Sequence, residues 1–330
     1  TGIGGPSTAI AIEELRQIGV TTLIRIGSCG ALQDNLALGD VIIAHGAVMD
    51  DGTSRTYAPA GYPACADPQL TWELMAQARQ MNIPAACGLV RSHDSFYTDR
   101  EAELDAQWSA LGILGADMES AALMTIGALR GLRTASLLNV VVAHNGCLDS
   151  SINDYVQQEA LCQQGEERQI TLALRAITEK RAATIGYLLD ESRQRDIADD
   201  SVREAIRHYG RDIGHKLRAQ MRDRKDLQEF AGLFTRGLES QVYEMEPVSA
   251  SRAEFIVLFH YCPYVNCWRQ QGRGASEIET LCDICMEGDR ALTDAFPGLH
   301  LEVQTALARG DAACRLRFYQ AEEREGEWQP

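Results

Sequence analysis

The stretch Arg25-Ile26-Gly27-Ser28-Cys29-Gly30-Ala31 decides how the first half of this chain is read. The β-branched and aliphatic run from Thr21 to Ile26 predicts a buried strand that ends in a small-residue turn. Arg25 breaks the apolar pattern. A guanidinium at the carboxyl end of a hydrophobic strand is costly to bury alone, so it calls for a carboxylate or a bound anion. Gly27 and Gly30 leave backbone N–H groups uncovered, and Ser28 adds a hydroxyl beside them. That combination suits a phosphate oxygen. The alternative is an arginine pinned by a neighbouring carboxylate, with glycines that only shape the turn.

Around this stretch, strand patterns alternate with helix patterns. Pro6 and Ser7 open a helix running to about Gln17, with Ser7 as a cap. Strands are expected at Val41–Ala44, Ala85–Val90 and Thr134–Val142, and helices at Asp67–Met81, Arg100–Leu111, from near Met118, and from Asp154 to about Lys180. Such alternation means a mixed, mostly parallel sheet flanked by helices, with ligands beyond the carboxyl ends of strands.

The 330 residues, 45% of them hydrophobic, are enough for two domains with cores. A net charge of -16 repels a polyanion, so a nucleic-acid partner is not expected, although one phosphate can still bind a local cation. No apolar run reaches membrane-spanning length, and a soluble cytoplasmic protein is expected. Ten cysteines in a chain of this length suggest thiols or a metal site more than a disulfide framework. The glycines at 2, 4 and 5 form a turn of the kind that follows a strand, so the sequence is expected to start inside a domain.

Three blocks in order, Thr1-Gly2-Ile3-Gly4-Gly5-Pro6-Ser7, the Arg25–Ala31 stretch and Asp117-Met118-Glu119-Ser120-Ala121, resemble the signature of the nucleoside phosphorylases of the uridine phosphorylase and bacterial purine nucleoside phosphorylase type. Asp51-Gly52 through Tyr57-Ala58-Pro59 leans towards uridine phosphorylase. The resemblance covers residues 1–180 and implies a domain lacking its first strands. It implies phosphate binding by Arg25 and Ser28, and ribose binding by Met118 and Glu119. Cys29, Gly30, Phe96, Asp117 and His144 are implied around the base. Phosphate is then co-substrate with the nucleoside, no cofactor is needed, and the partners are further copies of the chain, a dimer-based hexamer in relatives. A glutamate suits this task because it accepts charge-assisted hydrogen bonds from a vicinal diol. Asp117 and Glu119 are otherwise acidic residues opening a helix, favoured there by its dipole.

Two family features are missing. The acid that protonates a purine is absent from Val141-Val142-Ala143-His144-Asn145, and the Gln-x-Arg pair that reads uracil is absent after Phe96-Tyr97. The implied reaction is phosphorolysis of a uridine-like nucleoside. A non-catalytic nucleoside sensor and a water-using nucleosidase are the alternatives, and Arg25 counts against the latter, since nucleosidases lack that arginine.

Residues 181–330 read as a smaller α+β domain. Helices are expected at Ile185–Arg193, Asp200–Met221, Leu227–Leu238 and Ala275–Ala295, with strands at Glu254–His260, Leu299–Thr305 and Ala313–Tyr319 and a frayed acidic tail from Glu322. Cys282, Cys285 and Asp289 fall on one face of the expected helix, Cys262 and Cys267 could close against them, and Cys314 is a further candidate. A zinc or iron–sulfur site and a set of buried apolar thiols both remain open. Cys262-Pro263-Tyr264, the Cys-and-Asp helix, Phe296-Pro297 and Gly310-Asp311-Ala312-Ala313-Cys314 resemble the L-2-amino-thiazoline-4-carboxylic acid hydrolase family. The likeness implies ring opening or small-ligand binding. His260 is a candidate base for a cysteine nucleophile by proximity in sequence alone.

Overall fold

The computed structural model describes residues 2–144, 159–195 and 197–320. The chain divides into two compact units, Thr1–Ala176 and Ile177–Pro330. Asn145, the start of the helix expected from Asp154 and the acidic tail lie outside the described residues. Among the described residues, no helix is long and apolar enough to cross a membrane.

In the first unit β1 (Thr22–Ala31) lies between β6 (Arg133–Val142), parallel to it, and the short β5 (Gly115–Asp117), antiparallel to it. The sheet continues through β4 (Ala85–His93) to β2 (Val41–Asp50) and β3 (Ala64–Cys65). Parallel pairing joins β2 to β4 and β4 to β5, and the sheet is mixed α/β in character, as the alternation predicts. One feature was not legible in the alternation. β2 also pairs antiparallel with β6, Val41 opposite Asn139 through Ala44 opposite Ser136, so the sheet closes on itself. Ile42, Ala44, Val90, Leu138, Val140 and Met124 pack together in one of its buried clusters. The helix Ser120–Leu129 is buried from Ser120 through Gly127, which explains its nearly unbroken run of small and aliphatic residues.

The structure corrects three local expectations here. β1 does not end at Ile26 but carries Gly27, Ser28, Cys29 and Gly30 within the strand, because β6 supplies partners out to Val142 across a bulge at Cys29/Gly30. The first helix starts at Gly4, and Ser7 does not cap it; its hydroxyl donates to the Ile3 and Gly4 carbonyls at 2.9 and 3.0 Å. The helix expected to end near Lys180 runs unbroken from Glu159 to Gln194, absorbing the separate helix expected at Ile185–Arg193.

The second unit holds a four-stranded antiparallel sheet in the order β7 (Met245–Ala250), β8 (Glu254–Phe259), β10 (Cys314–Gln320), β9 (Leu299–Thr305). β7 was not expected, since its run Met-Glu-Pro-Val-Ser-Ala is interrupted by a proline, exposed after Met245 and without regular apolar alternation. Phe230, Phe255, Phe296 and Phe318 form its aromatic core, with the Phe230 centroid 5.2–6.2 Å from the other three. The helix Asp200–Gln220 crosses the helix Glu287–Thr293 so closely that a Cβ on Gly210 would lie 2.1 Å from the Gly288 carbonyl oxygen. The single helix expected at Ala275–Ala295 is two, Ala275–Cys285 and Glu287–Thr293, meeting at Met286.

Candidate active site

Sheet register brings the site together. Gly30 of β1 lies opposite Ala116 of β5, and the two strands are antiparallel, so the chain that leaves β5 through Asp117, Met118 and Glu119 runs back along β1 towards Arg25. The Arg25 side chain folds over Gly27, where a Cβ would stand 2.5 Å from its guanidinium, so a larger residue there would displace it. There Arg25 meets two carboxylates. Its Nη2 donates to Glu119 Oε2, and its Nη1 lies 3.3 Å from Asp117 Oδ2.

All three groups are shielded. Side-chain exposure is 15% for Arg25, 11% for Glu119 and 0% for Asp117. At such depth the Coulomb attraction is screened far less than at the surface, and further hydrogen bonds are needed to satisfy the remaining lone pairs. Glu119 Oε1 accepts from the Gly4 N–H at 2.6 Å, and Oε2 accepts from the Met118 N–H at 3.3 Å. Gly4 opens the helix Gly4–Gln17, so Glu119 supplies the cap that the local sequence lacks and places negative charge at the positive end of the dipole. Asp117 accepts from the Ser92 hydroxyl at 2.5 Å and from the Ser120 N–H and hydroxyl at 3.0 and 2.6 Å. Ser92 in turn accepts from the Ala121 N–H at 2.9 Å, and Ser120 shares a 2.7 Å contact with Ser136.

Arg25, Asp117, Met118 and Glu119 are therefore one constellation, closer than a sugar-sized gap between Arg25 and Glu119 would suggest. The sequence reading set an anion-binding arginine against an arginine pinned by a carboxylate, and the geometry shows it pinned by two. Ser28 is exposed, three positions along β1, and no hydrogen bond joins it to Arg25. The Gly27 N–H does not stay uncovered; it donates to Gln169 Oε1 at 3.1 Å. Cys29 is buried at 4% exposure beside Gly115, and burial, reinforced by the charge of Asp117, pushes its thiol far up, so it is no nucleophile. Phe96 stands 49% exposed after β4, edge-on to Tyr97 with centroids 5.0 Å apart. His144, at the end of β6, places Nδ1 2.7 Å from Asp34 Oδ1.

Sequence reasoning missed Gly4, Ser92, Ser120, Ser136 and Gln169 as parts of the site. Only Gly4 and Ser120 carried a signal, as members of the first and third sequence blocks. It also missed Arg91, whose Nη2 lies 2.8 Å from Asp50 and whose guanidinium sits 5.8 Å from the Trp108 ring centre. Its charge helps burial hold His93 below the usual imidazole range, and burial raises the Asp105 carboxyl against the opposing charges of Arg91, His93 and His144.

In the second unit Cys262 stands at the N-cap of the helix Pro263–Gln270 without a side-chain cap hydrogen bond, and burial pushes its thiol up. Cys282 and Cys285 lie on the neighbouring helix and Asp289 on the next, while Cys314 Sγ accepts from the Leu307 N–H at 3.3 Å. Cys267 is buried in the core. Among the described residues no three His, Cys, Asp or Glu side chains are placed to hold a metal. His260 Nε2 contacts Glu246 at 2.7 Å on an exposed face. All nine described cysteines are free thiols.

Comparison with known proteins finds a separate family match for each part of the chain. Residues 175–318 match the L-2-amino-thiazoline-4-carboxylic acid hydrolase family. The first part is 39% identical to uridine phosphorylase of Klebsiella aerogenes over 156 residues, covering 43% of this chain and 61% of that protein. It is 41% identical to uridine phosphorylase of Treponema pallidum over 151 residues, covering 43% and 58%. The guanosine phosphorylase of Halorubrum lacusprofundi is 35% identical over 182 residues, covering 54% and 73%. A crystal structure of uridine phosphorylase from Vibrio fischeri ES114 superposes with a TM-score of 0.50 at 46% identity, covering 54% of this chain and 71% of that one. The chain thus spans about three fifths of the length of the uridine phosphorylases it matches. Residues 1–178 match the phosphorylase superfamily, and with the arginine–carboxylate constellation in place, the chain belongs to that family.

Proposed function

We propose that the first unit cleaves the N-glycosidic bond of a uridine-like pyrimidine nucleoside with phosphate, releasing free base and ribose 1-phosphate. The observation that carries this reading is the contact of Arg25, within β1, with Glu119 and Asp117. Arg25 is a cation that a phosphate can engage, and Glu119 is a shielded carboxylate suited to the ribose 2′ and 3′ hydroxyls. In the reaction a phosphate oxygen bonds to C1′ as the C1′–N bond breaks, its electrons passing to the base, which takes up a proton. Charges preorganised in a shielded site favour the oxocarbenium-like transition state between them. Phosphate and diol compete with an existing ion pair, so Arg25 and Glu119 exchange one partner for another. Ser28, Met118, Cys29, Gly30, Phe96 and His144 complete the proposed pocket. No organic cofactor is required.

We infer that assembly into a dimer-based homo-oligomer belongs to the same function; the exposed Ile3, Ile10 and Ile18, 62–80% accessible, support it. The free thiols support a cytoplasmic setting, and the family match of the second unit supports a hydrolase-type role there, with Cys262, Cys282, Cys285, Asp289 and Cys314 as its candidates. The test is a panel of uridine, thymidine, inosine and methylthioadenosine, each with and without phosphate. Phosphate-dependent release of uracil is the expected result. Nucleoside binding without release in either condition would favour the sensor reading, which the two-carboxylate pinning of Arg25 also fits.

A further inference from the structure

Glu119 is held from two sides. Its Oε2 meets Arg25, while its Oε1 accepts from the Gly4 N–H at 2.6 Å. The helix Gly4–Gln17 has no side-chain cap from its own N-cap residue, so the place of that N–H depends on what fixes the first turn. Gly4 and Gly5 are both buried there. A Cβ on Gly5 would lie 2.7 Å from both Cβ and Oγ1 of Thr53 and 3.0 Å from Asp51 Oδ2. No side chain fits at Gly5 without displacing them, so the turn rests directly on these two residues.

Asp51 and Thr53 are themselves fixed. Asp51 follows β2 and is 1% exposed. Its Oδ2 accepts from the Ser54 N–H at 2.7 Å and so caps the helix Gly52–Tyr57. The Gly52 N–H donates to Asp94 Oδ2 at 2.7 Å, which ties the same turn to the chain just after β4. The far end of this helix is secured by Tyr57, which packs on the cluster of Ala9, Ile12, Ala122, Leu123 and Ile126. That cluster joins the helix Gly4–Gln17 to the helix Ser120–Leu129, whose N-cap is Glu119. The three helices pack against one another in a closed ring, and the approach of Gly5 to Thr53 sets how the Gly4 N–H stands against Glu119.

We propose that Thr53 and Asp51 are positioning residues for Glu119, acting through the first turn of the helix Gly4–Gln17. They hold the Gly4 N–H against Oε1, so that Oε1 stays in place and Oε2 alone exchanges Arg25 for a ribose hydroxyl. Neither residue touches substrate. A loosened turn lets the carboxylate swing, which weakens the hold on the diol more than the hold on phosphate. The role of Glu119 towards the diol rests on the phosphorylase reading, whereas the contact of Gly5 with Thr53 and Asp51 does not.

The experiment moves bulk from one side of this contact to the other. Gly5→Ala, Thr53→Gly and the double variant are compared with the wild type in the full chain, by hydrogen exchange of the Gly4 amide and by the KM for uridine and for phosphate. Gly5→Ala forces the turn off Thr53, and Thr53→Gly takes its support away. Each single variant should therefore speed Gly4 exchange and raise the uridine KM by about tenfold, the worth of a charge-assisted hydrogen bond. The phosphate KM should stay within about twofold. In the double variant the added methyl refills the space that Thr53 leaves, so both readings should return towards wild type, which a general loss of stability would not produce. Unchanged Gly4 exchange in both single variants, an effect that the double variant does not reverse, or equal rises in the KM for uridine and for phosphate overturns the positioning role. Should the wild type not cleave uridine with phosphate, the phosphorylase reading falls by itself. Gly4 exchange then decides the positioning role alone: reversal in the double variant upholds it, and persistence overturns it.

Discussion

Replacing Arg25 with glutamine tests the constellation at its centre. The substitution removes the cation from two shielded carboxylates, with side-chain exposures of 11% for Glu119 and 0% for Asp117. Breaking a buried pair by deleting one partner costs ~3–5 kcal/mol, because the other charge is left uncompensated. Asp117 keeps three hydrogen bonds from Ser92 and Ser120, and Glu119 keeps two from Gly4 and Met118. The loss should therefore sit near the lower end, ~3 kcal/mol. Hydrogen exchange of the β1 and β6 amides is the assay, since it reads the opening free energy of this sheet and is indifferent to the second unit. The double variant Arg25→Gln with Glu119→Gln should recover part of the loss, because one orphaned charge is gone. A cost below ~1 kcal/mol, the range of an exposed surface pair, would refute the claim that this cluster is shielded and mutually dependent.

Gly210→Val places a side chain where a single Cβ would already come within 2.1 Å of the Gly288 carbonyl oxygen, so the second unit should lose ~2–3 kcal/mol or fail to fold, read from its urea transition. Burial pushes the Asp289 carboxyl up to about 6, so the folded state holds its proton more tightly than the unfolded chain. That contribution is fully present below the unfolded value of 3.8 and is lost as pH rises through about 6. Asp289→Asn should then be more stable than the wild type at pH 7, by up to ~2 kcal/mol, and show no gain at pH 3.5; a gain of the same size at both would contradict this account. Iodoacetamide at pH 8 should modify the exposed Cys65 and spare Cys29, whose thiol is buried and raised, as peptide mass spectrometry would show.

Much of the site was legible because it lies in short local blocks. Arg25 stood out as a charge in an aliphatic run, and Asp117 and Glu119 as acids at a helix start. The cysteine-and-aspartate segment was legible for the same reason. Their partners were not. Gln169 reaches Gly27 across 142 positions and Gly4 reaches Glu119 across 115, and neither glutamine nor glycine announces a distant partner. His260 likewise meets Glu246, 14 positions away, which the sequence around it did not announce.

Read alone, the order of residues determined the periodicities, hence which segments are strands and which are helices, and it determined the chemistry carried at each strand end. Tertiary structure decided how far those segments extend and what they meet. β1 continues through Gly27–Gly30 because β6 offers hydrogen-bond partners there, and the sheet closes because β2 finds β6 on its free side. The physical reason is range. Side-chain period and turn chemistry act over a few residues, whereas strand register, ion pairing and desolvation are set by groups that only folding brings within a few ångströms.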